Sequence, residues 1–233
     1  MIADKLMKFM ADKNAKGSDE RLGNMSLSDV PYCPRKTSFK LFGTEPTNRP
    51  KPGAMEVGTA FHAVLQDWAK QVFGEKFHSV EKEVVIPVDY HDPRTERMER
   101  AFIKGHCDGV LDSPLVDGEK HVIDFKTYRG VAWKYRTPLK PNYSDQLQLY
   151  MHALECKSGI IVHVCKDDFG MDESLVEYDP GLVEFLIGKM SDILGAATPE
   201  EFVKTPTFDW ECRYCPYMDL CKPKKAKRCK TKS

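Results

Sequence analysis

The chain has 233 residues, enough for one sizeable domain with its own core, or for one domain carrying an appended module. Its 35 Lys and Arg are balanced by 35 Asp and Glu, so it is not a protein that coats nucleic acid by overall basicity. No apolar run approaches the roughly 20 residues that span a bilayer, which argues against a membrane-spanning helix, and no membrane partner is expected.

Met1–Asn24 is lysine-rich and mixed in charge, with a short helix expected over Ile2–Ala11 and a flexible polar segment after it. It lacks the continuous apolar core of a signal peptide. The expectation is a cytoplasmic protein, bacterial or, if viral, in the host cytoplasm. In a reducing compartment its eight cysteines are metal ligands or buried thiols rather than disulfides. Ser26-Leu27-Ser28-Asp29-Val30 has the composition of a capped helical turn. It leads through Pro31-Tyr32-Cys33-Pro34 into a second helical piece at Thr37–Leu41.

After a proline-rich loop, Gly43–Gly53, the apolar residues Val57, Ala60, Phe61, Val64, Leu65, Trp68 and Val72 recur at helical spacing and predict a helix over Met55–Phe73. Ser79–Val88 alternates and is β-branched, a strand. Asp89–Arg100 reads as a polar crossing. Gly105–Thr127 then reads as a hairpin, Gly-His-Cys-Asp-Gly-Val-Leu-Asp and His-Val-Ile-Asp-Phe-Lys-Thr, joined by the turn Ser113–Gly118. Such a hairpin brings Asp108 near Asp124, and the period of two puts Lys126 on the Asp124 side. Two carboxylates can hold a hard cation such as Mg²⁺ or Mn²⁺, and an ammonium beside them can offset charge at a reacting phosphate.

Thr127–Ser144 is long for a connection in a compact domain. Its Arg129, Trp133, Lys134, Tyr135 and Arg136, followed by Lys140 and Tyr143, interleave cations with rings and suit a nucleic-acid backbone with stackable bases. Ser144–Glu155 is predicted to be a helix, with Gln146 and Tyr150 four apart on one face. Gly159–Val164 is a buried strand, Ser174–Tyr178 another, and Pro180-Gly181 opens an amphipathic helix. The order of elements predicts an α/β fold, a mixed central sheet with helices on both faces.

The C-terminal region reads Trp210-Glu211-Cys212-Arg213-Tyr214-Cys215-Pro216-Tyr217-Met218-Asp219-Leu220-Cys221, spaced C-x2-C-x5-C. Three clustered thiols are a strong metal signal and need a fourth ligand, for which Cys33, Cys107, Cys156, Cys165 and Cys229 are available. Thiolate chemistry alone leaves structural Zn²⁺ and an iron–sulfur cluster open. Lys222–Ser233 is a basic tail without an acid, able to track phosphates.

Together these residues resemble the RecB-like branch of the PD-(D/E)XK nucleases in its iron–sulfur form, similar to the CRISPR-associated Cas-four type and AddB nuclease domains. Gly58-Thr59-Ala60-Phe61-His62 is similar to the family's Gly-x-x-x-His helix, Gly105-His106-Cys107-Asp108 to its Gly-x-x-Asp strand, Asp124-Phe125-Lys126 to (Asp/Glu)-x-Lys, and Gln146-Leu147-Gln148-Leu149-Tyr150 to Gln-x-x-x-Tyr. Asp124 stands where Glu is commoner, which keeps the carboxylate. The resemblance implies a restriction-endonuclease-like core over residues 26–197, an N-terminal segment 1–25 before it, and a module at 198–221 closed by Cys33, with the tail 222–233 beyond. It implies a 4Fe–4S cluster on Cys33, Cys212, Cys215 and Cys221.

It further implies Mg²⁺ or Mn²⁺ on His62, Asp108, Asp124 and the Phe125 carbonyl, with Lys126, Gln146 and Tyr150 completing the catalytic set and Glu83 as an extra acid. The implied activity is metal-dependent hydrolysis of DNA, an exonuclease preferring single strands, in recombination, repair or CRISPR or phage DNA processing. A helicase or a recombination or CRISPR adaptation protein is the implied partner. Alanine at Asp108, Asp124 or Lys126 is expected to abolish cleavage and leave the fold. The competing readings are a non-catalytic DNA-binding or partner-clamping module of the same fold, and a zinc-bearing DNA-binding protein.

Overall fold

The structure, a computed structural model, describes residues 2–48, 52–113, 116, 118–137, 139–206 and 211–221. The basic tail at 222–233, Cys229, Trp210 and three residues of the hairpin turn (Pro114, Leu115 and Asp117) lie outside them.

The helices are α1 (Ile2–Asp19), α2 (Pro34–Leu41), α3 (Pro52–Phe73), α4 (Gly130–Lys134), α5 (Pro141–Leu154) and α6 (Pro180–Leu194). The strands are β1 (Phe77–His78), β2 (Lys82–Asp92), β3 (Arg97–Cys107), β4 (Gly109–Asp112), β5 (Lys120–Tyr128), β6 (Ser158–Cys165) and β7 (Met171–Glu177). A mixed sheet runs β1-β4-β5-β6-β7, with β5 and β6 parallel and the other neighbours antiparallel. β2 and β3 form a separate two-stranded sheet.

α5 crosses over between the parallel strands, as such a pair requires. Pro141 opens it at a position where no amide donor is needed, and Glu155 ends it in the left-handed region at φ 53°. Leu147, Leu149, Tyr150 and Met151 are buried against Val122, Ile161, Val84, Ile86 and α6 in the main core. On the other face of the sheet, Leu65 and Ala69 of α3 pack on Ile123, Phe125 and Val164 in a second cluster. Each such buried aliphatic side chain contributes about 1.5–3 kcal/mol. β5 is therefore covered on both sides, which explains its unbroken buried run from Val122 to Phe125.

Several sequence expectations change. α1 runs on to Asp19, past the end expected at Ala11 and through residues expected to form a flexible polar segment. The crossing expected at Asp89–Arg100 is strand on both sides of a turn: β2 and β3 pair continuously from Lys82↔Cys107 to Asp92↔Arg97. Its solvent face carries charges, so alternation with an exposed partner looks like polar chain. α3 is a helix as expected, but its sheet-facing stripe is His62, Leu65, Gln66 and Ala69, while Val57, Val64, Trp68 and Val72 are exposed. The aromatic ends are held by a ring outside the helix: Phe169, in the β6–β7 turn, lies 5.0 Å from Phe61 and 5.3 Å from Trp68.

Candidate active site

Asp108 sits where the chain leaves one sheet for the other. β3 ends at Cys107 and β4 begins at Gly109, so the expected single strand through Asp108 is two strands in two sheets. The β4–β5 hairpin itself forms, but its ladder stops at Gly109↔Ile123. Beyond that point β5 keeps only β6 as a neighbour, and the amide of Phe125 loses its ladder partner. The Asp108 carboxylate replaces it: Phe125 N donates to Asp108 Oδ2 at 2.7 Å. A buried amide needs such an acceptor, so this acid is part of the backbone framework.

The fork left by β4 admits groups from both faces. His62 reaches in from α3, with Nδ1 3.0 Å from Asp108 Oδ1. Asp124 and Lys126 come from β5, two apart and on one side, with Lys126 Nζ donating to Asp124 Oδ1 at 3.0 Å. Asp124 Oδ2 lies 2.7 Å from the same ammonium, yet the direction is too poor for a hydrogen bond, and this buried oxygen has no directed donor. From α5, Gln146 Oε1 accepts from Lys126 Nζ at 3.1 Å, and Gln146 Nε2 donates to the Tyr150 hydroxyl at 2.7 Å.

The charges are strongly biased. Burial pushes Asp124 up to about 6, against the pull of Lys126 and with the push of Asp108. On Lys126 burial acts downward, but the Asp124 and Asp108 charges outweigh it and hold the amine above its usual range. The pair is best described as a protonated lysine facing a carboxylate that resists ionising alone. Burial lowers His62, and the Asp108 bond and the charges of Asp108 and Asp124 more than reverse it, leaving a net rise. Burial raises Tyr150 to about 12, so its hydroxyl stays protonated.

Glu83 is not in this group. It faces solvent on β2 and pairs with Lys104 at 3.0 Å. The acid linked to the fork is Glu81, whose Oε1 accepts from Gln66 Nε2 at 2.6 Å, while the same nitrogen lies 3.4 Å from the Asp108 carbonyl. Gln66 was detectable in the sequence, since it stands four residues after His62 on one helical face.

Of the loop residues, Tyr135 is 83% exposed, and Arg129 and Lys134 are exposed cations. Trp133 is half-buried and carries the Arg136 guanidinium 3.4 Å above its ring. Arg136 also pairs with Asp172 and donates to the Trp133 carbonyl, so its charge is already matched. Arg136 thereby braces α4 against β7.

Cys33, Cys212, Cys215 and Cys221 line one cavity of about 350 Å³. Cys107, Cys156 and Cys165 are buried elsewhere. Cys33 N donates to the buried Glu211 Oε1 at 2.8 Å, tying the start of α2 to the C-terminal module. Two further straps run from Thr47 N and Asn48 N to the Pro216 carbonyl, each 2.9 Å. Tyr217 N donates to Cys215 Sγ at 3.4 Å. Burial is the largest influence on the Cys215 and Cys221 thiols and raises both, with Lys36, Arg35 and Lys204 pulling the other way. Among the described residues no three His, Cys, Asp or Glu side chains are drawn together tightly enough to clasp a single ion as they stand.

A mixed sheet that forks at an acid, with a second acid and a lysine two residues apart on the next strand, sets side by side the kinds of group that metal-assisted hydrolysis uses. Residues 69–222 match the PD-(D/E)XK nuclease superfamily, and the chain belongs to it. Its members use divalent metals such as Mg²⁺ and Mn²⁺. The chain is 26% identical over 122 residues to the CRISPR-associated exonuclease Cas4 of Saccharolobus solfataricus, a match that covers 52% of this chain and 53% of that protein. The chain thus spans about half the length of this relative. In fold it is similar to the crystal structure of SSO0001, at 20% identity and a TM-score of 0.62, over 95% of this chain and 96% of that one. No helix among the described residues is long and apolar enough to cross a membrane.

Proposed function

We propose that this protein is a metal-dependent deoxyribonuclease, an exonuclease preferring single strands, that acts in recombination, repair or the processing of CRISPR or phage DNA. What carries the reading is the fork at Asp108, where an imidazole, two carboxylates and an ammonium converge from α3, β5 and the β3–β4 link. The donor set fits a hard divalent cation. Two carboxylates supply oxygen, the imidazole extends the choice to Mn²⁺, and Asp124 Oδ2 is a buried oxygen without a directed donor. His62, Asp108, Asp124 and the Phe125 carbonyl would hold it. A cation there supplies a more acidic bound water and a polarised phosphate.

The protein's own groups do the rest. Lys126 keeps its proton and presents positive charge beside the acids, where charge builds on the phosphate. Gln146 fixes that ammonium. Because Tyr150 takes the amide nitrogen, the amide oxygen is the end that faces Lys126. The half-length match to a CRISPR-associated exonuclease favours a nucleic-acid substrate, which we take to be DNA, and the partner proposed with it is a helicase or a recombination or CRISPR adaptation protein. The test is end-labelled single- and double-stranded DNA with Mn²⁺, Mg²⁺ or chelator, for wild type and Lys126→Met. Absence of metal-dependent products from wild type, or equal products from the variant, would sink the reading.

The four thiols suit a 4Fe–4S cluster. They share one cavity, an amide points at Cys215 Sγ, and cations stand by to offset thiolate charge. Such a group closes a very long loop and so stabilises the join between α2 and the C-terminal module. Protein purified without oxygen should contain iron and acid-labile sulfide in equal amounts, and Cys33→Ser should lose both. Zinc in their place would overturn the cluster.

A further inference from the structure

The loop from Tyr128 to α5 was expected to offer cations to a nucleic-acid backbone, but its cations are not equivalent. Arg136 is matched by Asp172. Lys140 is different. It stands at the start of α5, where its carbonyl accepts from Tyr143 N at 2.9 Å and Ser144 N at 3.1 Å, so its backbone is fixed by the first helical turn. Its ammonium lies over two rings, 5.1 Å from Tyr128 and 5.5 Å from Tyr143. The Tyr143 ring is shared, since Lys126 Nζ lies 5.0 Å from the same centroid. Tyr128 and Tyr143 meet edge to face with ring centroids 6.4 Å apart, and Tyr128 is anchored to the buried His163 at 3.0 Å.

We propose that Lys140 contacts a phosphate of the bound strand next to the one held at Lys126, and that the tyrosine pair sets the spacing of the two ammonium groups. The proposal rests on the nuclease reading of the site and extends it along the strand. A cation held on ring faces keeps its charge available, because an aromatic quadrupole attracts without neutralising. Among the described residues no carboxylate pairs with Lys140, and burial alone holds its amine below the usual range. A half-buried ammonium in that condition gains when an anion arrives. The alternative is that the lysine only lays its stem on the rings.

Lys140→Met keeps the stem and removes the charge, and Lys140→Arg keeps the charge. The measurement is binding of a fluorescein-labelled single-stranded oligonucleotide in chelator, as a function of salt. One lost phosphate contact lowers the slope of log K against log salt by about 0.7 for a single strand. Lys140→Met should show that loss, with KM raised more than kcat falls and an unchanged melting temperature, and Lys140→Arg should keep the wild-type slope. A wild-type slope in both variants, or a lowered melting temperature in Lys140→Met with no change in slope, would show that the residue only packs. If wild type neither binds nor cuts DNA, the nuclease reading falls and this proposal with it. If wild type binds and cuts but Lys140→Met keeps its slope, only this proposal falls.

Discussion

Removing the Asp108 carboxylate should weaken the fold as well as the chemistry. Its Oδ2 accepts the buried Phe125 amide at 2.7 Å, at the point where β5 has lost β4. A hydrogen bond to a charged acceptor contributes about 1.5–3 kcal/mol, and alanine leaves the amide without a replacement. The His62 contact is partly exposed and adds at most about 1 kcal/mol. Against this, Asp108 pushes on buried Asp124, and its removal relieves that repulsion. The net loss for Asp108→Ala is then about 1–3 kcal/mol. For a chain of this size each kcal/mol lowers the melting temperature by roughly 2–4 °C, so a fall of about 2–12 °C is expected. Asp108→Asn keeps an oxygen for the amide and should melt within about 3 °C of wild type, while losing cleavage equally. Thermal and urea unfolding in chelator, beside the DNA cleavage assay, separates the two roles. If Asp108→Ala melts with wild type, or Asp108→Asn falls as far as the alanine, the amide does not depend on this carboxylate.

Gly105→Ala places a Cβ 2.8 Å from the Tyr150 ring and 3.0 Å from Leu27, both buried, and should cost about 1–3 kcal/mol and disturb the Tyr150–Gln146 bond. A wild-type melting curve for that variant would contradict the packing. Glu211→Gln should loosen the joint with Cys33 and speed loss of bound metal to a chelator, read by absorbance or metal release. Equal release rates would remove Glu211 from that role. Burial, with the Asp108 charge behind it, pushes the Cys107 thiol up to about 11. Native protein at pH 8 should therefore leave Cys107 unalkylated by iodoacetamide in a mass-spectrometric map, while urea exposes it.

The helix of His62, the hairpin of Asp124 and Lys126 and the helix of Gln146 and Tyr150 were legible because each is local: spacing of 3.6 or 2 decides which neighbours share a face. Asp108 was legible as an acid but not as the link between two sheets, because nothing near Cys107-Asp108-Gly109 encodes which strand each half will pair with. β2 and β3 were half-missed for the same reason: Val84, Ile86 and Val88 of β2 and Ile103 and Cys107 of β3 reach the core, while the far end of the ladder, from Asp89↔Arg100 outward, is largely solvated. Glu81 was passed over for Glu83 because the left-handed turns at Ser79 and Glu81, at φ 54° and 51°, shift which side of the strand each acid takes. Tyr128, Tyr143 and Lys140 come together from both ends of a loop, a contact that no periodicity announces.

The β2–β3 ladder also works as a ruler. Eleven consecutive pairs run from the turn at residues 93–96 down to Cys107, and Asp108 is the next residue. A residue inserted in that turn changes the length of the tip and leaves the lower end aligned. A residue deleted between Arg97 and Cys107 shifts every later pair by one, turns Ile103 out of the core and carries the acid to the wrong side. Tolerance to length change along this arm should therefore drop abruptly once the change passes from tip to stem.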